Sequence, residues 1–330
     1  MENNCNQLKL GEVCRYLKKH NDYIILTHVS PDGDTLGSAY ALALALVSMG
    51  KRAFVVCSDE IPAKYDYFIK QANLKSFDYK TIVAVDVADA KLLGSLYEDY
   101  SEKIELAIDH HISNTRYAKN LYLDASASAT AECIYEIIRK MRVKITPLMA
   151  TALYTGIITD TGCFKYSNVT PKTHKIAAEL FGFGIDAADI SRRMFDTKSK
   201  ACMELEKMVL AGAKYLFDDR CMMLTVTLDM QEKSQCRPSD LEVIAPISRS
   251  VEGVKIGITV KETERDVYKI SLRTYEPFDA SAIAQKLGGG GHKAAAGCTV
   301  KGDLDTVCNK IENAVGEAIA EYDKGTDISK

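Results

Sequence analysis

Apolar residues in the first half of the chain fall into short runs of strand length, Tyr23–Thr27, Ala53–Cys57, Thr81–Val85 and Ile104–Ile108. Longer segments with helical character surround them. Residues 1–20 read as a short amphipathic helix, and further helices are expected from about Leu36 to Met49, Ala127 to Arg142, Pro147 to Ile158 and Pro171 to Phe183. Pro147 and Pro171 suit first-turn positions, where a missing N–H costs little, and Gly182 and Gly184 provide a stop. Strands alternating with helices imply a parallel sheet flanked by crossover helices. In such sheets ligand sites form beyond the carboxyl ends of the strands.

The pattern changes after residue 196. A charged helical stretch from about Lys198 to Tyr215 reads as a connector. Cys221–Leu228, Val254–Lys261 and Val267–Thr274 then look like antiparallel strands, the last two joined by the polar turn Glu264-Arg265-Asp266. A helix over Ala280–Leu287 runs into four glycines and His292, a last helix spans about Asp303 to Tyr322, and the tail Lys324–Lys330 is expected to be disordered. The expected architecture is therefore α/β over 1–196, a helical connector over 197–215, and a smaller α+β domain with a mixed sheet over 216–330. The active-site cleft is expected between the two domains.

Several apolar runs end in ionisable groups. Ile24–Thr27 leads into His28 and then Pro31-Asp32-Gly33-Asp34; Ile82–Val85 ends at Asp86, Ile104–Ile108 at Asp109-His110-His111, and Ile157–Thr159 at Asp160. Each alone has a plain structural explanation, because Asp and Ser cap helices and acids occupy turns. Together they place many charges against apolar segments, an arrangement that a bound cation would compensate. The donors are carboxylates and imidazoles with no thiolate, which favours a pair of ions such as Mn²⁺ or Mg²⁺ over a structural zinc.

Composition narrows the class. The chain has 330 residues, enough for two domains, with an ordinary apolar fraction of 47%. A net charge of −3, without runs of Lys or Arg, argues against a protein that grips long nucleic acid. The longest apolar stretch, Ala39–Met49, is too short to span a membrane and carries no signal-peptide pattern. Ten scattered cysteines without a CxxC pair then read as reduced thiols, and the expected location is cytoplasmic.

His28-x-x-x-Asp32-x-Asp34, Asp86, Asp109-His110-His111 and Asp160, followed by Gly288-Gly289-Gly290-Gly291-His292, together resemble the ordered signature of the DHH/DHHA1 phosphoesterase superfamily. The branch it most resembles is the bifunctional oligoribonuclease and 3′-phosphoadenosine 5′-phosphate phosphatase, or nanoRNase, type. The resemblance runs from about residue 15 to residue 300 and includes Ser271-Leu272-Arg273 and Phe278-Asp279-Ala280-Ser281. It implies a DHH catalytic domain, a DHHA1 substrate-binding domain and two divalent ions, Mn²⁺ foremost, with Mg²⁺ or Co²⁺ as alternatives. His28 and Asp32 would hold one ion, Asp34, His110 and Asp160 the other, with Asp86 bridging. Two ions roughly 3.5–4 Å apart stabilise both the attacking and the leaving oxygen of an in-line displacement. Asp109 would orient a neighbouring imidazole, and His111 would bind the scissile phosphate or protonate the leaving alcohol. Arg273, Gly289, Gly290, Gly291 and His292 would contact substrate. Asn114, Arg116 and His174 lie near these motifs without an assigned role.

On this reading the substrates are short RNA oligonucleotides or adenosine nucleotides, with no long nucleic acid and no membrane as partner. A homodimer is compatible with the sequence, which does not determine oligomeric state. The alternatives are a phosphodiesterase for cyclic or linear diadenylate and, less favoured, a RecJ-like single-strand exonuclease; the phosphorus-handling residues do not separate the first of these. A binding module that has lost its chemistry would be marked by a missing ligand, and every expected position is filled. An inorganic pyrophosphatase would lack the tetraglycine-His motif.

Overall fold

The computed structural model describes residues 5–237, 241 and 244–327. The chain divides into two compact units, Met1–Thr197 and Lys198–Lys330. In the first unit the elements run β1 (Asn6–Gln7), α1 (Leu10–Lys19), β2 (Tyr23–Leu26), α2 (Gly33–Ser48), β3 (Ala53–Val56), α3 (Asp66–Ala72), β4 (Thr81–Val85), α4 (Tyr97–Tyr100), β5 (Leu106–Asp109), β6 (Asn120–Leu123), α5 (Thr130–Met141), α6 (Pro147–Asp160), α7 (Pro171–Phe181) and α8 (Ala187–Ser191).

All six strands are parallel, in the order β1-β6-β5-β4-β2-β3. From β2 the chain goes outward to β3 and returns on the other side of β2 to form β4, so the strand order reverses there. At such a reversal the loops leave the carboxyl ends of adjacent strands in opposite directions and open a crevice. His28 follows β2 and Asp86 follows β4, one on each side of it.

Helix α2 is the centre of this unit, buried along nearly its whole length rather than on one stripe. Asp32 caps it, its Oδ1 accepting from the N–H groups of Asp34 and Thr35 at 2.9 and 3.0 Å. Close packing against α6 depends on two glycines. A Cβ on Gly37 would sit 2.3 Å from the Ala152 carbonyl oxygen, and one on Gly156 would sit 2.7 Å from Ala131 Cβ and 2.8 Å from Asp34 Oδ1. Without those side chains the backbones of α2 and α6 approach, which carries Asp34 and Asp160 toward each other.

The second unit continues with α9 (Lys200–Ala211), β7 (Lys214–Leu216), β8 (Cys221–Val226), α10 (Leu228–Ser234), α11 (Ile244–Ile247), β9 (Ile256–Glu264), β10 (Val267–Thr274), α12 (Ala280–Lys286), β11 (Gly290–His292), β12 (Ala295–Lys301) and α13 (Leu304–Asp327). Its mixed sheet has the order β11-β12-β10-β9-β8-β7. One expectation is corrected: β8 and β9 are parallel, while β9 and β10 are antiparallel as their short turn requires. The segment between β8 and β9 is a long crossover containing α10 and α11, the length of connection that parallel strands need.

One face of this sheet is covered by α12 and α13, whose Val307, Ile311, Val315 and Ile319 repeat at helical spacing. On the other face Leu205 and Val209 of α9 pack on Met222 and Leu224 of β8. The segment read as a connector is thus a helix and the start of a strand, both grouped with the second unit. Lys324–Asp327, expected to be disordered, continues α13, and residues 328–330 lie outside the described residues. All ten cysteines are free.

Candidate metal centre

The loop after β2 is tied down at its start. Val29 N–H donates to the Leu92 carbonyl oxygen at 2.7 Å, and Ser30, in the left-handed region at φ +50°, donates its N–H to Asp59 Oδ2 at 2.7 Å. His28 Nδ1 lies 2.7 Å from the Val29 carbonyl oxygen, which places the ring proton on Nδ1 and turns Nε2 toward the crevice. Asp86, just after β4, has φ +60°, a conformation that costs a non-glycine residue energy and is retained here by burial and by its N–H bond to the Ile108 carbonyl oxygen. It does not cap the following helical turn; Asp89 does.

The structure brings the six candidate metal ligands together. His28 Nε2 lies 3.8 Å from Asp32 Oδ1 and 3.6 Å from Asp86 Oδ2. His110 Nε2 lies 3.4 Å from Asp160 Oδ2 and 3.9 Å from Asp86 Oδ1. Three overlapping triads, His28-Asp32-Asp86, Asp34-His110-Asp160 and Asp86-His110-His111, each keep their donor atoms within 4.8 Å of one another. Asp86 belongs to two of the triads and so does His110. These separations exceed hydrogen-bond length and match donors arranged around a common cation.

The donor chemistry also fits cations. His110 Nδ1 lies 3.1 Å from the Ala127 carbonyl oxygen, while its Nε2 is buried without a hydrogen-bond partner. A lone pair left that way is costly unless something electrophilic faces it. Burial first, and then the negative charges of Asp86, Asp160 and Asp32, push the Asp34 carboxyl well above the usual carboxylate range. Burial, together with Asp86 and Asp32, raises Asp160 to about 7. Burial works against a charged His28, yet the Asp86 and Asp32 carboxylates outweigh it and raise the imidazole to about 9. Burial alone would also raise Asp86, but the surrounding imidazoles hold it below its ordinary value. Protons are thus retained where positive charge is needed.

Asp109 is fully buried beside the triads. Its Oδ1 accepts from the N–H groups of His110 and His111 at 2.8 and 3.2 Å and lies 2.8 Å from His111 Nδ1. That contact raises His111 to about 9. Asn114 Nδ2 donates to Asp109 Oδ2 at 2.6 Å and so fixes the carboxylate that fixes the imidazole. Sequence reasoning left Asn114 without a role, and nothing but its place five residues after Asp109 pointed to it. Thr130, Ala131 and Ser38 were missed altogether: their N–H and hydroxyl groups bond Asp34 and Asp86, and only the tertiary fold brings them there.

The remaining candidates lie in the second unit. Lys269, Ser271, Arg273, Gly290, Gly291 and Thr299 line a shallow cavity of about 520 Å³ on the sheet face opposite α12 and α13. Gly289 and Gly291 have a packing reason: a Cβ would stand 2.2 Å from the Gly297 carbonyl oxygen and 2.6 Å from Ala296 Cα, respectively. Gly290 faces open space, and His292 is exposed on the edge strand β11.

Two family models match the chain: the DHH family, N-terminal domain, over residues 22–157 and the DHHA1 domain over residues 221–321. The bifunctional oligoribonuclease and PAP phosphatase NrnA of Thermus thermophilus is 34% identical over 303 residues, which is 89% of this chain and 89% of that protein. The protein of the same name from Bacillus subtilis is 25% identical, covering 91% of this chain and 99% of its own length. Among solved structures, an exopolyphosphatase-related protein from Bacteroides fragilis aligns with a TM-score of 0.85 at 25% identity, over 93% of this chain and 95% of that one. A structure of exonuclease RecJ bound to manganese shares the fold, with a TM-score of 0.51 at 13% identity over 94% of this chain and 96% of that one. The chain belongs to the DHH family and carries its DHHA1 domain. Within that family it stands with the relatives named bifunctional oligoribonuclease and PAP phosphatase.

Proposed function

We propose that this protein is a divalent-metal-dependent phosphoesterase that hydrolyses short oligoribonucleotides to nucleoside monophosphates and 3′-phosphoadenosine 5′-phosphate to AMP. The observation that carries the reading is the convergence of His28, Asp32, Asp34, Asp86, His110 and Asp160 at one crevice, with His110 Nε2 buried and unpartnered. The relatives' names supply the substrate class.

His28 and Asp32 would hold one cation, Asp34, His110 and Asp160 a second, and Asp86 would reach both. Bound there, Mn²⁺ ions would activate water and neutralise charge on the phosphoryl oxygens. His111 does the proton work. Asp109 holds the Nδ1–H and raises the ring to about 9, so His111 is an imidazolium whose Nε2–H supplies the proton that the departing ribose oxygen takes as its bond to phosphorus breaks. Arg273 would grip a substrate phosphate through its guanidinium fork, and Gly290 would let backbone approach it closely.

The test is a hydrolysis panel in Mn²⁺: dinucleotide, pentanucleotide, long single strand, adenosine 3′,5′-bisphosphate, and linear and cyclic diadenylate. Turnover of the short oligonucleotides and the bisphosphate is expected. Exclusive turnover of diadenylates, or equal turnover of the long strand, would replace the reading.

A further inference from the structure

The amino terminus of α5 contacts carboxylates from both candidate ion positions. Helix α5 has no side-chain cap of its own, because its N-cap residue is Ala129. Its first two N–H groups bond instead to Asp34, which arrives from α2. Thr130 N–H donates to Asp34 Oδ2 at 2.6 Å and Ala131 N–H to Asp34 Oδ1 at 2.9 Å. Ser38 Oγ adds a donor to Oδ1 at 3.1 Å. The Thr130 hydroxyl turns the other way and donates to Asp86 Oδ1 at 2.7 Å. Thr130, Asp34 and Asp86 are all buried, so water does not compete for these bonds.

Building on the two-ion reading, we infer that Thr130 is a positioning residue that locks the bridging carboxylate of Asp86 to the Asp34 side of the centre and so makes two ions bind as a coupled pair. Its backbone sets one ligand and its side chain sets another, over a single residue of a rigid helix. The hydroxyl occupies one lone pair of Asp86 Oδ1 and fixes the rotation of that carboxylate. Its two oxygens are thereby held in different directions, Oδ2 facing His28 and Oδ1 facing His110. A freely rotating carboxylate would satisfy one ion at the expense of the other. Losing a hydrogen bond that orients a metal ligand typically weakens the metal about 10- to 100-fold.

The experiment measures Mn²⁺ binding without substrate, by calorimetry and by electron paramagnetic resonance, which separates exchange-coupled ion pairs from isolated ions. The wild type is expected to bind two coupled ions. Thr130→Val keeps the shape and removes the hydroxyl; it should bind the second ion about 10- to 100-fold more weakly and lose the coupled signal at two equivalents. Thr130→Ser keeps the hydroxyl and should restore both. Circular dichroism checks folding, and Thr130→Ala is measured by the same criteria if the valine variant does not fold. A wild-type isotherm and coupled signal in a folded variant without the hydroxyl overturns the inference alone. A wild type that binds one ion or none overturns the two-ion reading and the inference with it.

Discussion

The two units handle polar groups in opposite ways. The first buries Asp34, Asp86 and Asp109 completely or nearly so and surrounds them with imidazoles and backbone donors. The second leaves its candidate groups at the surface: His292 is exposed, Gly290 faces open space, and Arg273 is half-buried on a sheet face. On the proposed reading, the difference follows from what each unit would do. Holding cations and moving a proton require donors fixed within tenths of an ångström in low dielectric, and burial provides both. Recognising one end of a flexible polyanion requires reach, which edge strands and long side chains provide.

If that division of labour holds, the largest effect belongs to Asp86. Asp86→Asn keeps the shape and tolerates the left-handed backbone but removes the charge that both ions would share. Turnover of oligonucleotide and of a small generic phosphodiester should both fall by at least about 1,000-fold, as should the chelated wild type. Normal activity in the folded variant would break the comparison on the first unit's side.

Arg273→Ala should act more narrowly. It is expected to raise KM for nucleotide substrates by about tenfold or more while a small phosphodiester, which offers it nothing to grip, is hydrolysed as before. Equal loss on both substrates would mean that the second unit takes part in the chemical step.

Substrate length sharpens the same point at a smaller scale. The cavity beside Arg273, about 520 Å³, accommodates a small ligand, and the chain has no run of basic residues to follow a long backbone. Rates should therefore decline several-fold as oligonucleotides grow beyond a few residues, measured at equal concentrations of ends.

The smallest effect is thermal. Asp160, near 7, and His28, near 9, hold protons that a bound cation would have to displace. Both values are raised, so in the metal-free protein they contribute stability at low pH that is lost as pH rises through 7 and then 9. The rise in Tm produced by Mn²⁺ should accordingly be larger at about pH 8 than at about pH 6. A gain independent of pH would remove the idea that protons stand in for cations there.

Much of this protein could be read from the chain alone. The apolar runs ending at His28, Asp86 and Asp109 marked the strands, because a parallel strand buried on both faces leaves a nearly unbroken apolar segment. Their charged ends marked the candidate site, because a parallel sheet delivers all its carboxyl ends to one edge. The order of the motifs pointed to the family. What the chain did not show was pairing in space. The parallel match of β8 with β9 depends on a crossover whose length permits it but whose local pattern does not demand it. The bonds from Thr130 to Asp34 and Asp86, and the bond from Asn114 to Asp109, join groups whose own residue types announce nothing. Periodicity and strand ends are local properties of a chain, so the sequence by itself determined most of the elements and the candidate ligands, but not the edge strand β1 or β6. The directions in which Asp34 and Asp86 point are set by donors from α5, which meets α2 only where Gly37 and Gly156 let α6 pack closely against them, and that was decided by the tertiary structure.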